Sequence, residues 1–313
     1  MKRTYIILLS SIVAGLFFQA CSGDKLDPES SIMVSTTEKN AFDLWLDQYY
    51  VDPYNIRFVY RYDEIETDYN YYTVPADYDC SVRMAHILKH VCLEAYDEVA
   101  GVKFTRTYFP KLVNCTGEWL YSNNGTMTLA SAEGGRKINL QGLNHLPNLM
   151  TAENLNNYYL KTIHHEFTHI LNQTKSYPTS FQTITGQYYV GGVWNETPYA
   201  YQYYYLGHGF VTAYSQQEHV EDFAEVLSLY LTSSDASWTT LMELASYASA
   251  AYNEDNGTSL PDGAETIGAK LDIVRNYMKD SWGIDIDELH KVIQRRQTEI
   301  ISGVVDLDDL TIE

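Results

Sequence analysis

Cysteine is scarce in this chain, with four in 313 residues, and one of them, Cys21, lies near the N-terminus. The others are Cys80, Cys92 and Cys115, and because three is an odd number, at most one disulfide can form among them. Their spacing matches no zinc-finger pattern. A fold held together by several disulfides is therefore excluded, and we expect these thiols to be small buried residues.

Basic residues are also few. Lysine and arginine number 21 against 41 aspartates and glutamates, which gives a formal net charge of −20. So acidic a chain is a poor candidate for binding nucleic acid or an anionic membrane surface, because both carry negative charge themselves. We interpret the acidity mostly as a solubility feature.

The apolar run from Tyr5 to Phe18 is too short for a membrane span, which needs about 20 residues. Two basic residues precede it, so residues 1–20 have the form of a secretory signal. The end of this segment, Phe18-Gln19-Ala20-Cys21, resembles a bacterial lipoprotein cleavage box. The resemblance implies cleavage before Cys21 and attachment of lipid to its sulfur. An ordinary signal peptide followed by an incidental cysteine is the alternative.

Cleavage there would remove Lys2 and Arg3 and no acidic residue, so the formal net charge would change from −20 to −22. Residues 21–35 would then be a polar tether and 36–313 the folded domain. The lipid would hold the protein on the outer membrane, where we expect it to be exposed at the cell surface.

The periodicity of apolar residues divides the domain into helices and a sheet. The predicted helices cover 36–50, 79–99, 152–173, 218–231, 237–252, 263–280 and 286–300. Strand-like alternation covers 56–62, and 103–143 is typical of sheet, with turn signals separating the runs 118–122, 126–131 and 137–141. Residues 174–215 are rich in glycine and tyrosine and irregular.

This order predicts an α+β fold of two lobes. The N-terminal lobe, about 36–173, combines helices with a meandering sheet, and the C-terminal lobe, about 174–313, is mainly helical. The helix predicted over 152–173 lies between them.

That helix contains the segment His-His-Glu-Phe-Thr-His at 164–169. His165 and His169 are four residues apart, so they share one helix face and both imidazoles can reach a single metal ion. Glu166 then lies where a carboxylate can act as a base on a water bound to that metal, which is the arrangement of a zinc hydrolase. Because His-Glu-x-x-His also occurs by chance, a third ligand has to be found.

Catalytic zinc sites usually have three protein ligands. One large class of zinc enzymes supplies a histidine six residues after the second, but Lys175 occupies that position and excludes this class. Another class uses a glutamate from a later helix. Here Glu221 could ligate, with Glu225 accepting a hydrogen bond from a ligand histidine, or Glu218 could ligate with Asp222 as its partner, as in thermolysin-like enzymes. The spacing leaves both pairs open.

Four motifs together resemble a known family. They are the cleavage box at Cys21, His-Glu-Phe-Thr-His at 165–169, Gly-Phe-Val-Thr-Ala-Tyr at 209–214 and Glu-Asp-Phe-Ala-Glu at 221–225. With them the chain resembles the zinc-binding metallopeptidase lipoproteins found beside SusC/SusD-type outer-membrane importers. The resemblance covers most of the domain, and it implies Zn²⁺ as cofactor, a peptide or protein substrate and such an importer as partner.

The 221–225 segment is also similar to the Glu-x-Phe-Ala-Glu helix of the anthrax lethal factor and Pro-Pro endopeptidase group. There the first glutamate ligates zinc, and a tyrosine seven residues earlier helps to polarise the scissile carbonyl. Seven residues before Glu221 stands Tyr214. The resemblance therefore favours Glu221 over Glu218 as third ligand and implies a catalytic role for Tyr214. The loop between the motifs differs throughout, so substrate preference does not carry over.

We thus predict a zincin-like, gluzincin-type metallopeptidase in which His165, His169 and Glu221 bind Zn²⁺ and Glu166 is the general base. An edge of the sheet at 118–141 would hold the substrate as an extended strand. Two alternatives remain. One is a weak or inactive lipoprotein that binds a peptide or glycan through the tyrosine-rich segment 174–215, although a binder needs no base. The other is a zinc hydrolase of a non-peptide amide or ester.

Overall fold

A computed structural model of the chain describes residues 38–66, 71–121, 127–128, 130–133 and 137–312, with no side chain described within 122–136. The predicted signal peptide, the tether and Cys21 lie outside the described residues, so the predictions made for them stay predictions. From Asn40 onward the described residues form one compact unit. None of the helices described is long and apolar enough to cross a membrane.

The elements have the following bounds. The helices are α1 (Ala41–Leu46, continued by Asp47–Val51 and Asp52–Tyr54), α2 (Tyr78–Ile87, continued by Leu88–Leu93 and Glu94–Ala100), α3 (Val102–Tyr108), α4 (Ala152–Leu155, continued by Asn156–Leu160 and Lys161–Thr174), α5 (Ser180–Ile184), α6 (Gln202–Gly207), α7 (His219–Thr232), α8 (Asp235–Asn256), α9 (Gly263–Trp282) and α10 (Ile286–Ile301). The strands are β1 (Arg57–Val59), β2 (Leu112–Cys115), β3 (Leu120–Tyr121), β4 (Met127–Thr128), β5 (Ala130–Glu133) and β6 (Lys137–Leu140).

The mixture of helices with a small sheet confirms the α+β class, and every long helix predicted from periodicity is present within a few residues of its predicted ends. The middle segments of α1, α2 and α4 are π-helical turns. Between α4 and α7, where an irregular segment was predicted, the chain forms the short helices α5 and α6 and several 3₁₀ turns. The two lobes and their zincin-like arrangement stay predictions.

One prediction of local structure is wrong. The segment 103–143 was expected to be sheet throughout, but its first part is the helix α3. Its β-branched and aromatic residues favour a strand, but tertiary packing overrides that weak preference. Phe104 of α3 packs its ring against those of Tyr96, Phe167 and Trp282, with centroids 5.9–6.1 Å apart.

The sheet is not the predicted meander. Its strand order is β1-β2-β6-β5, in which β1 pairs with β2 and β2 with β6 in parallel, and only β5 is antiparallel to its neighbour β6. The strands β3 and β4 form a separate antiparallel pair. Along β6 every residue is buried, which is typical of a strand covered on both faces in a parallel arrangement.

A single hydrophobic cluster extends from α1 to α10. The helix α4, which carries His165 and His169, lies inside it through Leu160, Ile163, Phe167 and Leu171, all at most 1% exposed. This helix packs against α7 and against the edge strand β5. Cys80, Cys92 and Cys115 are buried and unpaired, as expected for small core residues.

Gly263 at the start of α9 marks a close approach of three helices. A Cβ atom there would lie 2.5 Å from the carbonyl oxygens of Ala245 in α8 and Leu206 in α6. Gly268, five residues further along α9, would place its Cβ 4.0 Å from the terminal methyl carbon, Cε, of Met242. The two glycines therefore differ in the space around them, although they share one helix.

We predict opposite effects of alanine at these two positions. Gly263→Ala should lower the free energy of unfolding by about 1–3 kcal/mol, because backbone atoms have to move. Gly268→Ala should raise it by about 0.5–1 kcal/mol, because alanine favours the helix and fits. Urea denaturation of both variants checks this, and equal shifts would contradict the packing described here.

Candidate metal centre

The site lies where α4 packs against the start of α7. His165 and His169 stand on adjacent turns of α4, as the spacing predicts. α7 begins at His219, because the preceding residue, Glu218, is extended with φ −166° and ψ 167°. Glu221 is consequently in the first turn of α7, and Glu225 follows one turn later on the same side.

Three ligand atoms converge on one point. The Nε2 atoms of His165 and His169 are 3.0 Å apart, and Oε2 of Glu221 lies 3.0 Å from the first and 3.2 Å from the second. A tetrahedral zinc ion with ligands at 2.0–2.1 Å separates them by about 3.3 Å, so the donor set and its spacing fit zinc. Within the described part of the chain no other three His, Cys, Asp or Glu residues converge in this way.

The carboxylates make this point favourable for positive charge. Burial alone would lower the pKa of His165, but hydrogen bonds to Glu221 and Glu225 outweigh it and raise the pKa to about 9. Burial likewise works to raise the pKa of Glu221, but its hydrogen bonds to the two imidazoles lower it to about 2. The same carboxylate would stabilise a divalent cation held between the imidazoles.

Glu225 fixes the orientation of His165. Its Oε1 accepts from Nδ1–H of His165 at 2.8 Å. With a metal bound, this hydrogen bond would keep the one remaining proton on Nδ1 and leave Nε2, which is directed at the proposed metal position, as the ligand atom. Its Oε2 accepts from Lys161 at 2.8 Å and from Thr212 at 2.6 Å. Burial would raise the pKa of this carboxyl, but Lys161 and His165 hold it well below its usual value.

Lys161 and Thr212 were not singled out from the sequence as site residues. Thr212 lies inside the 209–214 motif, which was the one available signal, and Lys161 stands four residues before His165 on the same helix face.

The alternative acidic pair, Glu218 and Asp222, is not part of this convergence of ligand atoms. Glu218 is exposed, and Asp222 is fully buried on another side of α7. Asp222 forms an ion pair with the buried Lys270, 2.6 Å away, and accepts a hydrogen bond from Tyr189 at 2.8 Å. Lys270 also donates to the carbonyl of Gly209. Asp222 thus ties α7 to α9 and does not face the histidines.

A cleft of about 550 Å³ opens beside the three ligand atoms, and Glu166, His169 and Glu221 all line it. Tyr214 stands in a 3₁₀ turn just before α7, with its ring 6.0 Å from that of His165. Burial and the nearby Glu221 raise the pKa of Tyr214, so its hydroxyl stays protonated as a donor. The structure therefore brings all the predicted site residues of the folded domain to one place.

Two further histidines, His219 and His164, lie near the three ligand residues in sequence or in space. Tyr177 and His219 both line the cleft, with the Tyr177 hydroxyl 2.6 Å from Nδ1 of His219. His164 is fully buried on another side of α4, 3.1 Å from the Tyr96 hydroxyl, and burial lowers its pKa to about 3. It is therefore a neutral core residue.

The model of the family described as "Putative zinc-binding metallo-peptidase" matches residues 35–287. The chain belongs to this family. A crystal structure of a Bacteroides caccae protein with the same description is similar to it, at 39% sequence identity and a TM-score of 0.72, covering 88% of this chain and 98% of that one. No curated protein matches the chain. Membership of a zinc-binding metallopeptidase family agrees with the donor set found here.

Zinc affinity should distinguish the two acidic pairs. We predict that Glu221→Gln weakens zinc binding strongly, because it removes the charged oxygen from the first coordination shell, while Glu218→Gln changes it little. Glu225→Gln should lower the zinc affinity roughly 10- to 100-fold, as expected for a residue that holds a ligand histidine by a hydrogen bond. Competition with a zinc chelator measures all three. A larger loss in Glu218→Gln than in Glu221→Gln would move the ligand one turn earlier.

Proposed function

We propose that this protein is a zinc-dependent peptidase that hydrolyses peptide bonds. The observation that supports this most is the convergence of His165, His169 and Glu221 beside a cleft that Glu166 also lines. A binding protein would need the ligands but not a carboxylate next to them. Membership of the family supports the same reaction class.

In the proposed hydrolysis each residue of the site has a distinct role. Zinc, when bound, would supply Lewis acidity that activates water and polarises the scissile carbonyl. Glu166 takes the proton from the attacking water and passes it to the leaving amine. Tyr214 donates a hydrogen bond to the oxygen that becomes negative. Glu225, charge-balanced by Lys161, keeps His165 in the required tautomer.

The edge strand β5 is our proposed binding place for the substrate backbone. It ends the strand order β1-β2-β6-β5 and contacts α4, which carries both histidines. An extended peptide can add to such an edge through main-chain hydrogen bonds. Because those bonds are independent of side chains, the edge would contribute affinity while the cleft contributes selectivity.

The cellular setting belongs to the proposal too. If Cys21 carries lipid, the tether 21–35 holds the domain on the outer membrane at the cell surface. Peptides released there could then be taken up by a SusC/SusD-type importer, which would make nutrient import the purpose of the cleavage.

Glu166→Ala should retain zinc and lose hydrolysis by several orders of magnitude. The ligand set is intact, but nothing accepts the proton of water. Mass-spectrometric profiling of a peptide mixture with wild type and variant measures the loss, and metal analysis of the same samples is the control. Equal cleavage by both proteins would show that this mechanism is wrong.

Tyr214→Phe should keep the fold and the zinc but lower kcat, roughly 100-fold for one lost oxyanion donor. The matched control is Tyr247→Phe, because Tyr247 is 63% exposed on α8, outside the cleft. Steady-state kinetics on a peptide found by the profiling gives both values. If the two variants have the same kcat, Tyr214 does not act in the reaction.

A further inference from the structure

Thr212 has a hydroxyl group that joins two parts of the site. It donates its proton to Oε2 of Glu225, 2.6 Å away. The same oxygen accepts from the backbone N–H of Ser215 at 3.2 Å and lies 3.0 Å from the Ser215 hydroxyl. Because the Thr212 proton is given to the carboxylate, the Ser215 hydroxyl is the donor in that contact. The hydroxyl of Thr212 therefore uses its donor and both of its acceptor positions.

One end of this chain of hydrogen bonds leads to a candidate metal ligand. Glu225 is 2% exposed, and its other oxygen accepts from Nδ1–H of His165 at 2.8 Å. A carboxylate buried so deeply depends on the donors that surround it. Lys161 is one of them, but it belongs to α4, as His165 does. Thr212 is the donor that reaches this carboxylate from the segment before α7.

The other end leads to the candidate oxyanion donor. The bond from the Ser215 N–H to Thr212 closes a tight turn, and Tyr214 stands inside this turn. The ring of Tyr214 is 6.0 Å from that of His165 and is met edge-on by Trp194, with ring centroids 5.0 Å apart. The turn therefore sets where the Tyr214 side chain lies relative to the ligand histidine.

The segment that leads into the turn is held by the other buried acid of α7. Asp222 forms an ion pair with Lys270, and both side chains are completely buried. The ammonium group of Lys270 also donates to the carbonyl oxygen of Gly209 at 2.8 Å. Removal of the Thr212 hydroxyl should therefore loosen the turn that carries Tyr214 without detaching the segment before it.

We infer that Thr212 is a positioning residue for both parts of the site. Through Glu225 it holds the imidazole of His165 in the orientation that metal binding needs. Through the turn it holds Tyr214 as the hydrogen-bond donor of the proposed reaction. The inference rests on the proposed function, and it implies that zinc affinity and turnover depend on the same hydroxyl.

Zinc affinity tests the first part and needs no substrate. Thr212→Val has nearly the same shape but no hydroxyl, so it should lower the zinc affinity of the full chain roughly 10-fold in competition with a chelator. In a Glu225→Gln background the same substitution should change the affinity much less, because the two residues act in one chain of hydrogen bonds. Thr212→Ser keeps the hydroxyl and should keep the affinity. A loss in the serine variant would assign the effect to the methyl group and overturn the inference.

Turnover of a peptide found by the profiling tests the second part. At saturating zinc, Thr212→Val should lower kcat roughly 10-fold with a smaller change in KM, because a misplaced donor matters most in the transition state. In a Tyr214→Phe background this loss should largely disappear, because the donor is already absent.

Thr232→Val is the matched control for both measurements. Thr232 is also buried, it lies on α7, and its hydroxyl bonds to the carbonyl oxygen of Ser228 in its own helix. The substitution removes a buried hydroxyl without touching the turn or Glu225. It should therefore change neither the zinc affinity nor kcat.

The outcomes separate this inference from the proposed function. If Thr212→Val loses thermal stability but keeps the zinc affinity and kcat of wild type, the hydroxyl serves folding alone and the inference is overturned, while the proposed peptidase activity stands. Equal losses with and without Glu225→Gln and Tyr214→Phe would also overturn it, because Thr212 would then act through neither residue. A wild type that binds zinc but cleaves no peptide would overturn the proposed function, and the zinc titrations would still decide whether Thr212 orients His165.

Discussion

The site depends on the contact between α4 and α7. This contact places two imidazoles and two carboxylates within hydrogen-bonding distance in a largely buried place, where each charge would be costly alone. The carboxylate of Glu225 accepts hydrogen bonds from Lys161 and Thr212. A divalent cation would balance the charge of the other carboxylate, that of Glu221. The buried pair of Asp222 and Lys270 fixes the other side of α7, so the helix has little freedom to rotate Glu221 away from the histidines.

The convergence of the candidate metal ligands could be predicted because their spacing is local. His165 and His169 share a helix face through the period of the helix alone, and the pair Glu221 and Glu225 does the same. Residue spacing alone could not decide between Glu221 and Glu218. It depends on where α7 begins, and the extended backbone of Glu218 places that residue outside the helix.

The rest of the fold required information that short-range patterns lack. β1 and β2 are parallel neighbours, although the whole of α2 and α3 separates them in sequence, and alternation along a strand does not identify its partner. α3 is a helix because Phe104 packs among three aromatic rings from distant elements. Thr212 reaches Glu225 through the fold of an irregular segment.

The central claim is that two histidines and one glutamate of this chain hold a zinc ion with a solvent-accessible position. X-ray absorption spectroscopy at the zinc edge tests it most directly on the zinc-loaded protein. The account predicts two imidazole nitrogens and further oxygen ligands at about 2.0–2.2 Å, with the imidazole signal reduced in His169→Ala. Sulfur at about 2.3 Å, or a shell with no imidazole, would contradict it, because the ligands would then come from elsewhere in the chain.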